Sequence, residues 1–234
     1  MIDCAVWWAA PLAESGEHLA LLAPAERERH AAYRRDEDKR RFLTGRVLAK
    51  TVAAEHLGIA PAEVEFDATC DDCGRQHGPP RVPGAKLALS ISHSGERIGV
   101  ALTGGAAVGL DVETATRKAD DALLGYALND TERAALEGLS EQERADAFFR
   151  YWTRKEAVMK ATGRGLRIPL TSLTMAPPGE PARLTGSADP ALSPAHTRMA
   201  DLDPGDGYRA AVAVLTELTG EEMEVTQRWW SPGR

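Results

Sequence analysis

The sequence predicts an α/β fold of the α+β kind, with two similar lobes related by pseudo-twofold symmetry. Each lobe is expected to be an antiparallel sheet packed with a long helix. Helical and strand patterns follow the same order in both halves of the chain, and two long helical segments lie at nearly matching positions. A short pattern also repeats at a constant offset of 112 residues: Gly95, Arg97, Val100 and Ala101 recur as Gly207, Arg209, Val212 and Ala213. We therefore expect an N-terminal lobe over residues 1–105 and a C-terminal lobe over residues 106–234.

The first half carries the patterns of one strand, two helices and two further strands. In order, these are a strand at 2–8, helices at 24–35 and about 38–56, and strands at 87–92 and 98–103. The strand segments are rich in apolar and β-forming residues. Gly58 is placed to end the longer helix, because glycine readily adopts the left-handed conformation that follows a last helical turn. A turn around Gly95 joins the last two strands.

The second half repeats this order. Its predicted elements are a strand at 107–113, a short helix capped by Asn129 or Asp130, a long helix at 140–162, and strands at about 173–175, 198–202, 208–215 and 223–228. Ser140 followed by Glu143 is a capping-box pattern, in which each side chain bonds a backbone N–H of the first turn. Gly163 is placed to end the long helix, as Gly58 ends its counterpart.

Composition restricts the classes of protein to which the chain can belong. Its 234 residues include 28 Lys and Arg against 35 Asp and Glu, a net charge of −7, and 43% are hydrophobic. The acidic balance argues against broad nucleic-acid binding. No run approaches the ~18 apolar residues that span a bilayer, and the first residues lack a secretion signal. Three Cys do not make a complete disulfide framework. We expect a cytoplasmic monomer that binds neither nucleic acid nor membrane.

The strand Val-Gly-Leu-Asp-Val-Glu at 108–113 carries two carboxylates. Alternate side chains of a strand share a face, so Asp111 and Glu113 point the same way, away from Leu110 and Val112. Two carboxylates directed together repel each other unless a cation or a base is near. The alternative is an exposed strand end whose carboxylates meet water.

The long helix of the second half places a carboxylate in its apolar face. At about 100° per residue, Glu156 falls between Trp152 and Phe149, in a stripe that also contains Phe148 and Met159. A carboxylate there needs a partner. Lys160 is one turn away, at the spacing of a Glu–Lys pair. The alternative is a structural salt bridge on the shoulder of the helix.

Three carboxylates without a nearby histidine suit a hard, oxygen-seeking cation such as Mg²⁺, which commonly also binds substrate phosphates. Basic residues that can hold phosphate cluster at 34–46 and at 154–160, although such charges usually form a solvated helix face. The segment 90–95, Ser-Ile-Ser-His-Ser-Gly, ends a strand with groups that can donate to phosphate oxygens. Ordinary turn chemistry is the alternative. A hydrolase triad is not favoured, because neither a nucleophile elbow nor a P-loop accompanies these groups.

The motifs Ser-Ile-Ser-His-Ser, Val-Gly-Leu-Asp-Val-Glu and Trp-Thr-Arg-Lys-Glu-Ala-Val-Met-Lys, in this order, resemble the Sfp-type (surfactin-type) 4′-phosphopantetheinyl transferases. The match runs from about Arg41 to the final strands. The resemblance implies the two-lobed fold and a Mg-dependent transfer of 4′-phosphopantetheine from coenzyme A to a serine of an acyl or peptidyl carrier protein, with release of 3′,5′-ADP. Such carriers serve polyketide and nonribosomal peptide synthesis.

The resemblance also implies roles for particular residues. Asp111, Glu113 and Glu156 would hold Mg²⁺, which links Asp111 to coenzyme A, and Glu156 would be the general base. Ser92 and His93 would contact coenzyme A, Lys155 and Lys160 would serve its phosphates with Lys160 acting in catalysis, and Arg41 and Arg46 would hold the 3′-phosphate on the N-terminal lobe. The family often has Gly-Lys-Pro where this chain has Gly78-Pro79-Pro80, and Arg75 or Arg81 is the candidate replacement for the lysine.

Two further sites are open at this stage. Cys70, Cys73 and His77 have partial zinc-ligand spacing, with Cys4 as a fourth candidate; a loop with reduced thiols is the alternative. Segment 114–128 is the candidate docking surface for an acidic carrier, because positive charge and apolar groups are combined there. Its relevant residues are Arg117, Lys118, Leu123, Leu124 and Tyr126; the alternative is that the leucines pack inward.

Two other functions compete with the transferase. A non-catalytic module that binds coenzyme A would retain the lobes, but it would not need three carboxylates and Lys160 together. A nuclease or phosphatase would use the same carboxylates, and the absence of a second set of metal ligands disfavours it.

Overall fold

The computed structural model describes residues 1–69, 74, 76–116, 118–164 and 167–232, without the side chains of Gln76 and His77. The helices are α1 (Gly16–Ala20), α2 (Pro24–Ala32), α3 (Asp36–Leu57), α4 (Asp121–Ala127), α5 (Asp130–Ala134) and α6 (Glu141–Thr162). The strands are β1 (Ile2–Ala9), β2 (Asp67–Thr69), β3 (Gln76–Arg81), β4 (Ala88–Ser94), β5 (Arg97–Thr103), β6 (Ala107–Thr114), β7 (Leu173–Met175), β8 (Leu184–Ser187), β9 (Thr197–Leu202), β10 (Tyr208–Leu215) and β11 (Met223–Trp229).

The mixed α/β class with antiparallel sheets is confirmed. A six-stranded sheet has the order β11-β1-β5-β4-β3-β2, a three-stranded sheet the order β6-β10-β9, and β7 pairs with β8. One strand pair departs from the prediction, since β11 runs parallel to β1. The last strand of the chain therefore completes the first sheet, a return that local patterns do not reveal. The division of the chain at residues 105 and 106 stays a prediction.

The two long helices begin and end for the predicted reasons. Ser140 and Glu143 form the capping box of α6, with the Ser140 side chain accepting from the Glu143 N–H. Gly58 ends α3 with φ 68° and Gly163 ends α6 with φ 67°, both in the left-handed region. Each helix thus stops at a residue that can turn the chain away.

Four apolar clusters of the described residues hold these elements together, and three of them position the candidate site. One face of α3 packs on the first sheet through residues such as Leu48 and Val100. Helix α6 packs on the second sheet through a larger core that includes Phe148 and Ala211. A third core, which contains the fully buried Trp8, joins strands of the two sheets. The sheets therefore pack on each other, and β4 of the first meets β6 of the second at the candidate site.

In the part of the chain that the structure describes, no helix is both long and apolar enough to cross a membrane.

Candidate active site

A row of serine hydroxyls joins the two sheets, and we call this row the serine seam. The Oγ atoms on one face of β4 accept from alternate backbone N–H groups of β6: Leu110 to Ser90 at 3.0 Å, Val112 to Ser92 at 3.2 Å and Thr114 to Ser94 at 3.2 Å. The seam satisfies buried donors on the side of β6 that does not pair with β10. Sequence reasoning missed this role, although the alternating serines of segment 90–94 were its signal.

Asp111 lies at the centre of the seam and is buried. Its Oδ1 accepts from the Ser92 hydroxyl at 3.1 Å and from Lys160 Nζ at 2.7 Å. Its Oδ2 is buried and has no hydrogen-bond partner. Burial raises the pKa of the Asp111 carboxyl, opposed by the Lys160 charge and the hydrogen bonds. One buried carboxylate oxygen of Asp111 thus has no partner within the protein.

Glu113, two residues further along β6, is half-buried. Its Oε2 accepts from the Ser94 hydroxyl at 2.8 Å. Asp111 and Glu113 therefore both meet serines of β4, which places the two carboxylates on the same side of β6, as strand alternation predicts.

Gly109 allows β6 and α6, the two elements that carry the candidate site residues, to meet. A Cβ atom at this position would lie 1.9 Å from the Ala157 carbonyl oxygen and 2.4 Å from the Ala161 nitrogen. Helix α6 therefore rests directly on the backbone of β6, with no side chain between them. This close approach brings Glu156 and Lys160 to the level of Asp111.

Glu156 lies in the apolar stripe of α6, as predicted. Phe148, Phe149 and Met159 are buried, while Trp152 and Glu156 are half-buried. Desolvation is the main cause that raises the pKa of Glu156; the charges of Asp111 and Glu113 add to it, and the charge of Lys160 opposes it. Both of the other predicted carboxylates, Asp111 and Glu113, thus act electrostatically on Glu156.

Lys160 bridges the helix and the seam. Its Nζ donates to Asp111 Oδ1 at 2.7 Å and to Ser92 Oγ at 3.0 Å. The ion pair forms with Asp111 rather than with Glu156, the partner that helical spacing suggested. About a third of the Lys160 side chain is exposed, so its charge also faces the open side of the site.

His93 and Arg41 lie near Lys160 at the end of β4. His93 is exposed. Desolvation by its surroundings, followed by the charges of Lys160 and Arg41, lowers the pKa of His93. Arg41 donates from Nε to the Gly95 carbonyl at 2.8 Å and from Nη1 to Asp38 at 3.0 Å. The turn around Gly95 is thereby held against α3.

Lys155 corrects an expectation that rested on resemblance. It is fully buried, and its Nζ donates to the Ala127 carbonyl at 2.8 Å, to the Leu170 carbonyl at 3.0 Å and to the Glu132 carboxylate. An ammonium group has three donors, and all three are used here inside the second lobe. The expectation that Lys155 serves coenzyme A phosphates is therefore wrong, because the side chain anchors α6 instead.

Two other predicted residues are held inside the protein, and their binding roles stay predictions. Arg46 is buried between the rings of Phe42 and Phe66, 3.6 Å from the Glu26 carboxylate, with its Nη1 unbonded. Burial lowers the pKa of Arg46. The Ser92 hydroxyl already makes three hydrogen bonds within the site.

Within the described ranges, no three His, Cys, Asp or Glu side chains stand close enough together to hold a metal ion. The donor chemistry nevertheless fits a hard cation. Asp111 Oδ2 is a buried oxygen without a partner, and the charges of Asp111 and Glu113 both act on Glu156. Oxygen donors of this kind suit Mg²⁺.

The candidate docking segment divides between core and surface. Leu124 is buried and Leu123 is partly buried against the same core, so the leucines pack inward. Tyr126 is 51% exposed, and its ring lies 6.3 Å from that of Trp152. Lys118 is exposed and pairs with Glu141 at 2.6 Å. Arg117 lies outside the described residues.

The zinc hypothesis cannot be placed on the structure, because Cys70, Cys73 and the His77 side chain lie outside the described residues. Cys4 is buried in the core between the sheets, and burial raises the pKa of its thiol to about 12. Arg75 also lies outside the described residues, while Arg81 ends β3.

Comparisons with known proteins give one result for both halves. Residues 107–213 match the family model "4′-phosphopantetheinyl transferase superfamily", and residues 7–104 match "4′-phosphopantetheinyl transferase, N-terminal". The chain is 32% identical to 4′-phosphopantetheinyl transferase HetI of Nostoc sp., over 88% of this chain and 86% of that protein. It is 25% identical to 4′-phosphopantetheinyl transferase Sfp of Bacillus subtilis, over 85% and 84%. A solved structure, holo-[acyl-carrier-protein] synthase of Thermotoga maritima, aligns with a TM-score of 0.37 and 22% identity, over 48% of this chain and 64% of that one.

Proposed function

The chain belongs to the 4′-phosphopantetheinyl transferase superfamily, and on that premise we propose that it transfers 4′-phosphopantetheine from coenzyme A to a serine of an apo carrier protein. The observation that carries the proposal is the junction of Asp111, Lys160 and Glu156 where α6 crosses β6. The relatives named above are described as transferases, and no observation favours a non-catalytic module. We place the chain in the Sfp-type branch on its motifs.

The reaction needs a base, an attacking oxygen and a stabilised leaving group. The carrier serine attacks the β-phosphorus of coenzyme A; its Oγ–P bond forms as the P–O bond to 3′,5′-ADP breaks, and the electron pair leaves on the nucleotide phosphate. Glu156 takes the serine proton. Its raised pKa makes it a better proton acceptor than an ordinary glutamate, provided that it is ionised. Lys160, beside it, supports the ionised form.

Asp111, Glu113 and Glu156 are the residues proposed to hold Mg²⁺. The unpartnered Oδ2 of Asp111 supports this assignment. The ion, when bound, would neutralise the pyrophosphate and orient it. The chain itself limits the access of water to two of these carboxylates: Asp111 is buried, and the aromatic stripe of α6 lies beside Glu156.

Coenzyme A is expected to bind along the surface formed by Lys160, His93 and Arg41, where Lys160 and Arg41 supply positive charge and His93 supplies a neutral hydrogen-bonding ring. Lys160 has an exposed side toward which developing phosphate charge can be drawn. His93 lies at the exposed end of the same strand that carries the seam. Arg46 is retained as a candidate for the 3′-phosphate, in view of its unbonded Nη1.

The partner is proposed to be an acyl or peptidyl carrier protein of polyketide or nonribosomal peptide synthesis. Carriers of this kind are usually acidic, as is this chain, so docking must depend on a local surface rather than on net charge. We propose the exposed part of segment 114–128, with Tyr126 and Lys118, as that surface. A cytoplasmic monomer that needs neither membrane nor nucleic acid completes the proposal.

The test is direct. The protein is incubated with coenzyme A, Mg²⁺ and a panel of apo carrier proteins, and each carrier is weighed by intact mass spectrometry. A carrier that gains one phosphopantetheine group, only when Mg²⁺ is present, supports the proposal. The Asp111→Ala variant, which loses the central carboxylate, should give no product. Activity near that of the wild type in this variant at saturating Mg²⁺ would contradict the assigned site, and no modified carrier at all would contradict the function.

A further inference from the structure

The three seam serines make the same backbone contact but differ in their side-chain contacts. Among the described residues, Ser90 meets only the backbone of β6, through the Leu110 N–H at 3.0 Å. Ser92 meets Asp111 and Lys160. Ser94 meets Glu113. The seam therefore provides one member that only joins the sheets and two that also reach the acidic site.

Ser94 is attached to β6 at two adjacent residues. Its Oγ accepts from the Thr114 N–H at 3.2 Å and donates to Glu113 Oε2 at 2.8 Å. The backbone contact fixes the oxygen, so its single proton is directed at the carboxylate. A 2.8 Å O–H···O contact is an ordinary, well-formed hydrogen bond.

We infer that Ser94 is a positioning residue that holds the Glu113 carboxylate in the orientation needed to act together with Asp111 and Glu156. Glu113 is half-buried, and the hydroxyl of Ser94 donates to its Oε2 from an oxygen that β6 itself holds in place; this bond restricts the rotamers that the carboxylate can adopt. Partners in the shell around metal ligands orient them in this way. The inference rests on the proposed function, because Glu113 is proposed there as a ligand of the cation.

Metal affinity tests the inference without use of activity. Mn²⁺ serves as the probe for Mg²⁺, and free Mn²⁺ is read by electron paramagnetic resonance during titration of each variant. Ser94→Ala should bind Mn²⁺ about tenfold more weakly than the wild type, at the low end of the range for such partners. Ser94→Thr keeps the hydroxyl and should stay within about threefold. Ser94→Val, which has the shape of threonine without its hydroxyl, should resemble Ser94→Ala.

Ser90→Ala is the matched control. It removes an equivalent bond to β6 at a buried position and leaves the Leu110 N–H without a partner. We expect it to lower Tm by about 2–6 °C and to leave Mn²⁺ affinity unchanged. The two serines should thus give opposite patterns, with the larger stability loss at Ser90 and the larger affinity loss at Ser94.

The outcomes separate this inference from the proposed function. Equal Mn²⁺ affinities in the Ser94→Ala and Ser90→Ala variants, or in Ser94→Thr and Ser94→Val, would overturn the role of Ser94 while leaving the transferase intact. A wild type that neither binds Mn²⁺ nor requires a divalent cation for transfer would overturn the proposed metal site, and the role of Ser94 with it.

Discussion

The long helices of the two lobes, α3 and α6, share one construction. Both have 22 residues, end at a left-handed glycine, and bury a lysine as their fifteenth residue, Lys50 in α3 and Lys155 in α6. Each lysine donates to a carbonyl of the segment that follows its helix, Val64 for the first and Leu170 for the second. The pseudo-twofold repeat thus includes a buried lysine that anchors each helix. The repeat of sequence motifs within the chain did not reveal it.

The carboxylate partners of these lysines also correspond. Glu26 and Glu132 are each the third residue of a short preceding helix, and each accepts from the backbone N–H of its cap residue. The two pairs differ in closeness. Glu26 lies 3.5 Å from Lys50 and is 12% exposed, whereas Glu132 is in direct contact with Lys155 and is 1% exposed. The lysine–glutamate pair of the second lobe is therefore the closer of the two and the less exposed to solvent.

The residues next to the anchors show where the two helices diverge. Lys50 is followed by Thr51, which bonds to its own helix at the Val47 carbonyl. Lys155 is followed by Glu156, which enters the acidic site. The two helices thus share the buried lysine, and the position that follows it carries the proposed catalytic glutamate in α6 but a threonine in α3.

The largest expected effect is on turnover, and it should appear on α6 alone. Glu156→Gln removes the proposed base and should lower kcat by about 10²- to 10⁴-fold, while the affinity for coenzyme A, measured by calorimetry, changes little. Thr51→Ala, at the corresponding position of α3, should leave kcat within about twofold. Comparable losses in kcat and coenzyme A affinity in Glu156→Gln would mean that Glu156 acts as a ligand and not as the base.

The second effect is on stability, and it ranks the two anchors. Lys155→Met should lower the free energy of unfolding by about 3–5 kcal/mol, because Glu132 is left as an unpaired buried charge. Lys50→Met should cost less, since Glu26 is partly exposed and keeps Arg46 nearby. Urea unfolding of the three proteins measures the order. A stable Lys155→Met protein with a greatly raised KM for coenzyme A would restore the phosphate-binding role that the structure argues against.

Features set by local periodicity could be predicted from the sequence. Strand alternation placed Asp111 and Glu113 on one side of β6, and helical spacing placed Glu156 in the apolar stripe. The partner of Lys155 could not be predicted, because Glu132 lies 23 residues away on a separate short helix and no periodic pattern relates the two. The same limit explains Lys160, whose nearest helical partner was Glu156 but whose ion pair is with Asp111 on β6, 49 residues away in the chain.

The remaining features were missed because they depend on tertiary packing. The seam joins serine hydroxyls to backbone groups of another sheet, which propensities do not encode. The sequence pattern gave Gly109 no role beyond that of a strand residue, although a Cβ atom there would lie 1.9 Å from the Ala157 carbonyl oxygen of α6. The return of β11 to β1 joins the two ends of the described chain, and a long-range parallel pairing has no local signature.

The third effect is on the carrier and tests whether docking also belongs to one lobe. Tyr126→Ala should raise the carrier KM by about 3- to 10-fold and leave the coenzyme A KM unchanged, as expected for an exposed aromatic contact. The control is Ile59→Ala, which removes an exposed apolar side chain, 41% accessible, beyond the end of α3. Steady-state kinetics with a carrier identified by mass spectrometry measures both. An equal rise in both variants would place the docking surface across the two lobes.

The smallest expected effect is on the pH dependence of Tm. It is measured in EDTA, so that no divalent cation is bound to the carboxylates. Because desolvation raises the folded-state pKa of Glu156, folding favours its protonated form. The stabilisation is complete below the ordinary glutamate pKa and is lost as pH rises through the raised folded-state pKa. Glutamine stays neutral throughout, so Glu156→Gln should gain stability relative to the wild type at neutral pH, by about 2 °C in Tm at most, and the gain should vanish near pH 4.

Glu55→Gln, which alters an exposed carboxylate on α3, is the control and should show no pH-dependent gain. A Tm difference between Glu156→Gln and the wild type that stays constant from pH 4 to pH 8 would mean that Glu156 gains no stability from protonation, and its role as a desolvated base would lose its physical support.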